Sequence, residues 1–111
     1  MIMGMKLLTD QSFAKIYSSS KTGFIGLVDE AQGLHRFSEE KSVTVSFFTD
    51  DVKGWFSHIK NEGVKLHTPS IMIESEAVEN FVAYDVGGYY LEFDQFLDHE
   101  LNQDIQNTFK N

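Results

Sequence analysis

The 111-residue chain has no cysteine, one proline, one tryptophan and only nine lysines and arginines. Without cysteine there can be no disulfide, thiolate nucleophile, iron–sulfur cluster or cysteine-type zinc site. Nine bases against seventeen acids leave a net charge of −8, which opposes the phosphate-neutralising surface that nucleic-acid binding requires and makes anionic lipid an equally poor partner. No apolar run approaches the roughly 18 residues of a membrane-spanning helix. The start, Met1-Ile2-Met3-Gly4-Met5-Lys6, lacks the basic and apolar regions of a signal peptide. These absences predict a cytoplasmic protein with neither nucleic acid nor membrane as partner. No stretch is long enough, or rich enough in Pro, Gly or Ser, to be a linker, and the length suits one domain spanning residues 1–111. Aromatic side chains are plentiful. Ten Phe, four Tyr and the one Trp can supply a hydrophobic core and exclude intrinsic disorder as the main state.

Residues 5–9, 13–17 and 24–28 are short β-rich runs bounded by turn residues, and their spacing predicts a three-stranded antiparallel meander. Residues 29–41 form the longest internal connection; its Leu34 and Phe37 predict that it lies on the body of the protein. From Val43 to Phe48 apolar and polar residues alternate, with Val43, Val45 and Phe47 on one face and Thr44, Ser46 and Phe48 on the other. Asp50 or Asp51 can cap the next segment, where Val52, Trp55, Phe56 and Ile59 stand at i, i+3, i+4 and i+7 before Gly63. That is an amphipathic helix. Short apolar pieces at 64–67 and 71–73, a strand over 78–84, a turn at 85–88 and a strand over 89–96 follow. Finally Leu97, Leu101, Ile105 and Phe109 recur every four residues, which predicts a thin-striped tail helix that must dock on something to be stable.

The order strand, helix, three strands, carried by TDDVKGWFSHIKNEGV and then FVAYDVGGYYLEF, resembles the second module of the vicinal oxygen chelate superfamily, which includes glyoxalase I, bleomycin-resistance proteins and extradiol dioxygenases. The resemblance implies an α+β, glyoxalase-like fold of paired βαβββ modules, in which a mixed curved sheet forms a cup. Residues 42–96 make the second module, 5–28 a partial first module lacking its opening strand and helix, and 97–109 a C-terminal helix. A sheet stripped of that strand and helix exposes a face and an edge. The expected remedy is a homodimer whose partner covers the gap, with the tail helix either crossing to that partner or folding back on its own chain.

The superfamily commonly sets metal ligands on the first and last strands of each module. Here the matching positions fall on Gly26, Thr44 and Glu92, with the first-strand position of the first module absent. Glycine has no donor and threonine is a poor one, so Glu92 alone remains as a metal-ligand candidate, and one carboxylate does not hold a divalent ion tightly. No cofactor is therefore implied outright; a divalent metal is the one left open. Strand parity sets Glu92 beside Tyr90 and Asp94, where a carboxyl inside a cup can have a raised pKa. Phe48 and Tyr90 share strand faces with Thr44 and Glu92, and His67 can lean toward the same side. The expected ligand pocket is thus Thr44, Phe48, His67, Tyr90 and Glu92. His35 can lean that way too, but none of His35, His58, His67 and His99 fits a metal-ligand spacing.

A nucleophilic enzyme finds no support, because there is no Gly-x-Ser-x-Gly elbow, and Gly87-Gly88 precedes a strand instead of a helix. The resemblance then implies a small-molecule-binding protein of the glyoxalase/bleomycin-resistance type that lacks the usual metal site. The alternatives are a metal-dependent lyase, isomerase or dioxygenase whose ligands are completed across a dimer, and a non-catalytic interaction module.

Overall fold

A computed structural model describes residues 3–110, with the side chains of residues 109 and 110 excepted. The chain divides into two compact units, Met1–Ser38 and Glu39–Asn111. The fold is α+β with two sheets, as expected. Among the described residues no helix is long and apolar enough to cross a membrane.

The first unit is the expected meander: β1 (Lys6–Asp10), β2 (Ala14–Ser18) and β3 (Phe24–Val28), paired antiparallel in that order. A bulge between Leu7 and Thr9 shifts the first pairing. None of this unit's described side chains is buried, and Leu7, Leu8, Phe13, Phe24, Leu27 and Val28 are all 44–58% exposed. The connection that follows overturns one expectation. Leu34 is 98% exposed and Phe37 62%, because local polar contacts shape this segment. The Asp29 carboxylate accepts from the Ala31 amide, and that of Glu30 from the Phe37 amide.

The second unit holds the core. Its elements are β4 (Thr44–Phe48), α1 (Val52–Asn61), β5 (Met72–Ser75), β6 (Val78–Tyr84) and β7 (Tyr90–Phe96), in the sheet order β4-β7-β6-β5. β4 runs parallel to β7 and the other pairs are antiparallel. Residues 64–67 contribute only an isolated bridge, Leu66 to Ala83. Of the two candidate caps, Asp51 closes the helix by accepting the Gly54 amide at 3.0 Å. A Cβ at position 54 would meet that carboxylate, so glycine there lets Asp51 keep its capping position. Gly63, at φ +76°, releases the chain from the other end. The predicted stripe on α1 faces the sheet: Val52 and Ile59 are buried, Trp55 stacks on Phe93 at 5.6 Å and Phe56 meets Phe81 edge-on at 5.2 Å. Phe81 and Phe93 stack nearly parallel, 4.7 Å apart, and Phe47 joins Phe93 at 5.3 Å.

The tail departs from its expected four-residue stripe. His99 caps a single 3-10 turn over Glu100–Asn102, and α2 (Gln103–Lys110) begins only after it. Leu97 therefore precedes the helix, Leu101 is 79% exposed, and the side chain of Phe109 lies outside the described residues. Polar contacts hold this segment to its own unit. The buried Asn102 amide donates to the carbonyls of Ala77 and Leu97, both at 2.8 Å, and Gln106 donates to the carbonyl of Phe96.

Candidate functional site

β7 lies between a parallel and an antiparallel neighbour, so its alternation sorts the sheet into two faces. Phe93 meets the α1 side. Tyr90, Glu92 and Asp94 point the other way, paired with Thr44, Ser46 and Phe48 on β4 and with Tyr84, Val82 and Asn80 on β6. Three zones follow one another along this face.

At one end, His67 Nδ1 lies 2.7 Å from the Tyr84 hydroxyl, and its ring is 4.9 Å from that of Tyr90. The rings of Tyr84 and Tyr90 are 5.3 Å apart. Desolvation raises the Tyr84 pKa, with smaller contributions from its hydrogen bond with Tyr90 and from that neighbour's charge. In the middle stand Glu92 and Asp94. Desolvation, then a hydrogen bond with Asp94, then the negative charges of Asp94 and Glu74 push the Glu92 carboxyl up to about 7. At neutral pH the Glu92 carboxyl is therefore protonated in about half of the molecules, and in that form it can donate a hydrogen bond. Asp94 and Asn80 are 5% and 6% exposed, with the Asn80 amide donating to Asp94 Oδ1 at 3.3 Å. At the far end Phe48 and Phe96 meet edge to face at 5.0 Å. They border a cleft of about 600 Å³ whose lining also includes Gln106 of α2.

Thr44, Phe48, Tyr90 and Glu92 therefore share one sheet face, and His67 reaches its Tyr90 end. Phe48 is set apart from Tyr90 by the carboxyl pair. The remaining histidines lie elsewhere: His58 packs edge-on to Trp55, His99 caps the 3-10 turn, and His35 is exposed in the connection. Among the described residues no group of three or more His, Asp or Glu side chains could hold a metal ion, and desolvation and the neighbouring Asp94 push the Glu92 carboxyl up to about 7. The residues present do not fit a divalent metal within one chain. Sequence reasoning missed Asn80 and Glu74. The alternation of β6 would have put Asn80 and Tyr84 on one face once its pairing with β7 was known, whereas the bulge between Ile73 and Ser75 hides the parity of Glu74.

No family model matches the sequence, and no curated protein matches it. Solved structures do. TioX from Micromonospora sp. ML1 is similar at 14% identity and TM-score 0.68, over 86% of this chain and 82% of its own. A glyoxalase/bleomycin resistance protein/dioxygenase from Nocardioides is similar at 11% identity and TM-score 0.70, over 86% and 69%. The genomically encoded fosfomycin resistance protein FosX from Listeria monocytogenes is similar at 15% identity and TM-score 0.65, over 87% and 77%. At such identities the likeness establishes fold alone: this chain has the fold of the glyoxalase/bleomycin resistance/dioxygenase proteins.

Proposed function

We propose that the protein binds a small molecule on the sheet face turned away from α1, at Thr44, Phe48, His67, Tyr90 and Glu92, without a metal held by one chain alone. The observation that carries this reading is Glu92. A carboxyl held near pH 7 among tyrosines, beside a second and more deeply buried carboxyl, costs folding stability and contributes nothing to the apolar core, and perturbed titratable groups of this kind concentrate at functional sites. Tyr90, 37% exposed, and the His67–Tyr84 pair offer ring faces and polar tips around it. The test is a thermal-shift screen with glutathione adducts, catechols and glycopeptides, each with and without zinc, nickel, iron and manganese. A ligand that stabilises the protein without metal, and loses that effect in Glu92→Gln at unchanged fold, supports the site. A shift that requires metal supports the lyase, isomerase or dioxygenase alternative, and no shift with any compound favours an interaction module.

The working form proposed is a homodimer. Leu7, Leu8, Phe24, Leu27 and Val28 leave apolar surface open on the small first sheet, and such surface on a soluble chain marks an interface. A pure monomer at micromolar concentration by light scattering sinks this part.

A further inference from the structure

β3 is an edge of the first sheet, paired along its whole length with β2 and, among the described residues, with no other strand. Antiparallel pairing alternates residues whose backbone groups face the neighbouring strand with residues whose groups face away. The Ser19 amide donates to the Gly23 carbonyl and the Asp29 amide to the Phe13 carbonyl, so by the same alternation Ile25 and Leu27 turn their backbone groups toward β2. Phe24, Gly26 and Val28 turn theirs to the open edge. Sheets protect such an edge with charge, proline or a bulge. The opposite edge, β1, has Lys6, Asp10 and the bulge between Leu7 and Thr9. β3 has no charge, no proline and no bulge, and its Phe24, Leu27 and Val28 are 54–58% exposed.

Nothing within the chain requires Gly26 at the centre of this strand. Its φ is not positive, and an added Cβ would meet only Ile16 Cγ1, at an ordinary 4.0 Å. A glycine inside a strand weakens it and often marks the close approach of another backbone. The open edge is also self-complementary. An antiparallel second copy centred on Gly26 sets Gly26 against Gly26, and Phe24 against the partner's Val28 on either side, which satisfies every backbone group the edge presents. Charge fixes the direction. Lys21 precedes β3, and Asp29 and Glu30 follow it. Antiparallel strands bring each lysine to the partner's two acids, whereas parallel strands set like charge against like.

We propose that β3 pairs antiparallel with β3 of a second copy about a dyad at Gly26, joining the two small sheets into one. This rests on the homodimer reading above and gives that dimer its interface. Sedimentation equilibrium of the full chain at micromolar concentration compares the wild type with two variants. Gly26→Pro removes an amide that β2 does not use and lays a ring across the edge, and it weakens dimerisation at least about a hundredfold. Lys21→Glu weakens it about tenfold, the effect of reversing two exposed charge pairs at once, and adding Glu30→Lys restores it. Because the chain has no cysteine, single replacements report proximity directly: on mild oxidation Gly26→Cys cross-links the dimer at its dyad faster than Leu7→Cys on β1 does. A dimer that keeps its affinity in either of the first two variants, or cross-links no faster at position 26 than at position 7, overturns the β3 pairing and leaves the homodimer to another surface. A monomeric wild type overturns both.

Discussion

Replacing Glu92 by Gln isolates the cost of its raised pKa. In the folded chain the carboxyl titrates at about 7 against 4.5 ordinarily, so folding favours its protonated form. The stabilising contribution is fully present below about pH 4.5, falls away as pH rises toward 7, and is absent above that. The shift corresponds to roughly 3 kcal/mol between protonation states. Glu92 is partly open to water, and screening reduces this to about 1–2 kcal/mol. Glutamine keeps a donor toward Asp94 and cannot ionise. Urea unfolding, followed through the single Trp55 stacked on Phe93, is measured at pH 5 and pH 8 for both proteins. Titrating groups that do not interact with Glu92 contribute equally to both and cancel in the comparison, which leaves Glu92 and its acidic neighbours Asp94 and Glu74. The wild type loses about 1–2 kcal/mol more than Glu92→Gln between the two pH values. Equal losses in the two proteins would refute the account of Glu92 as a carboxyl protonated by its surroundings.

Phe93→Ala removes a ring stacked on Phe81, Trp55 and Phe47 and costs about 3–5 kcal/mol in the same unfolding assay; a cost below about 1 kcal/mol contradicts its place at the centre of the core. Asp51→Ala removes the α1 cap and costs about 1 kcal/mol, whereas Asp50→Ala, which removes no cap, stays within about 0.5 kcal/mol. Asn102→Leu leaves the carbonyls of Ala77 and Leu97 without their donor and costs about 1–3 kcal/mol. Hydrogen exchange in that variant should accelerate over residues 103–108 before it does so in β6 and β7.

Legibility in the sequence followed the strength of each periodic signal. Val52, Trp55, Phe56 and Ile59 fit one helical stripe and no strand, so α1 and its sheet-facing side were readable from spacing alone. Alternation over Val43–Phe48 and Tyr89–Phe96 likewise placed Thr44, Phe48, Tyr90 and Glu92 on common faces. Leu34 and Phe37 misled because an apolar residue in a polar loop carries no period and so no information on where it points. The tail stripe misled for a different reason. A four-residue repeat cannot register that His99 and Asn102 tie the chain into a tighter turn before α2. The Asn80–Asp94 contact joins residues fourteen apart, and it depends on the register set by the Asp85–Gly88 turn. There the Gly88 amide donates to the Asp85 carbonyl at 3.1 Å and the Tyr89 amide to the Asp85 carboxylate at 2.8 Å.

That turn ties the site to the core. A slip of one residue between β6 and β7 exchanges the two faces of β7. Phe93 would leave its stack on Phe81, and Glu92 and Asp94 would face Trp55 and Ile59 across an apolar layer. The slip would remove stacked aromatic area and bury two carboxyls without the partners they now have, so both changes oppose it. β4 adds a second constraint, because its parallel pairing sets Ser46 against Glu92 and Phe47 against Phe93 in the same register. The aromatic stack on the α1 side therefore holds the carboxyl pair on the other side in place through the register of β4, β6 and β7. Substitutions that loosen Phe81 or Phe93 should for this reason disturb Glu92 titration before they unfold the sheet, whereas substitutions at Thr44 or Tyr90 can alter ligand contact with the core intact.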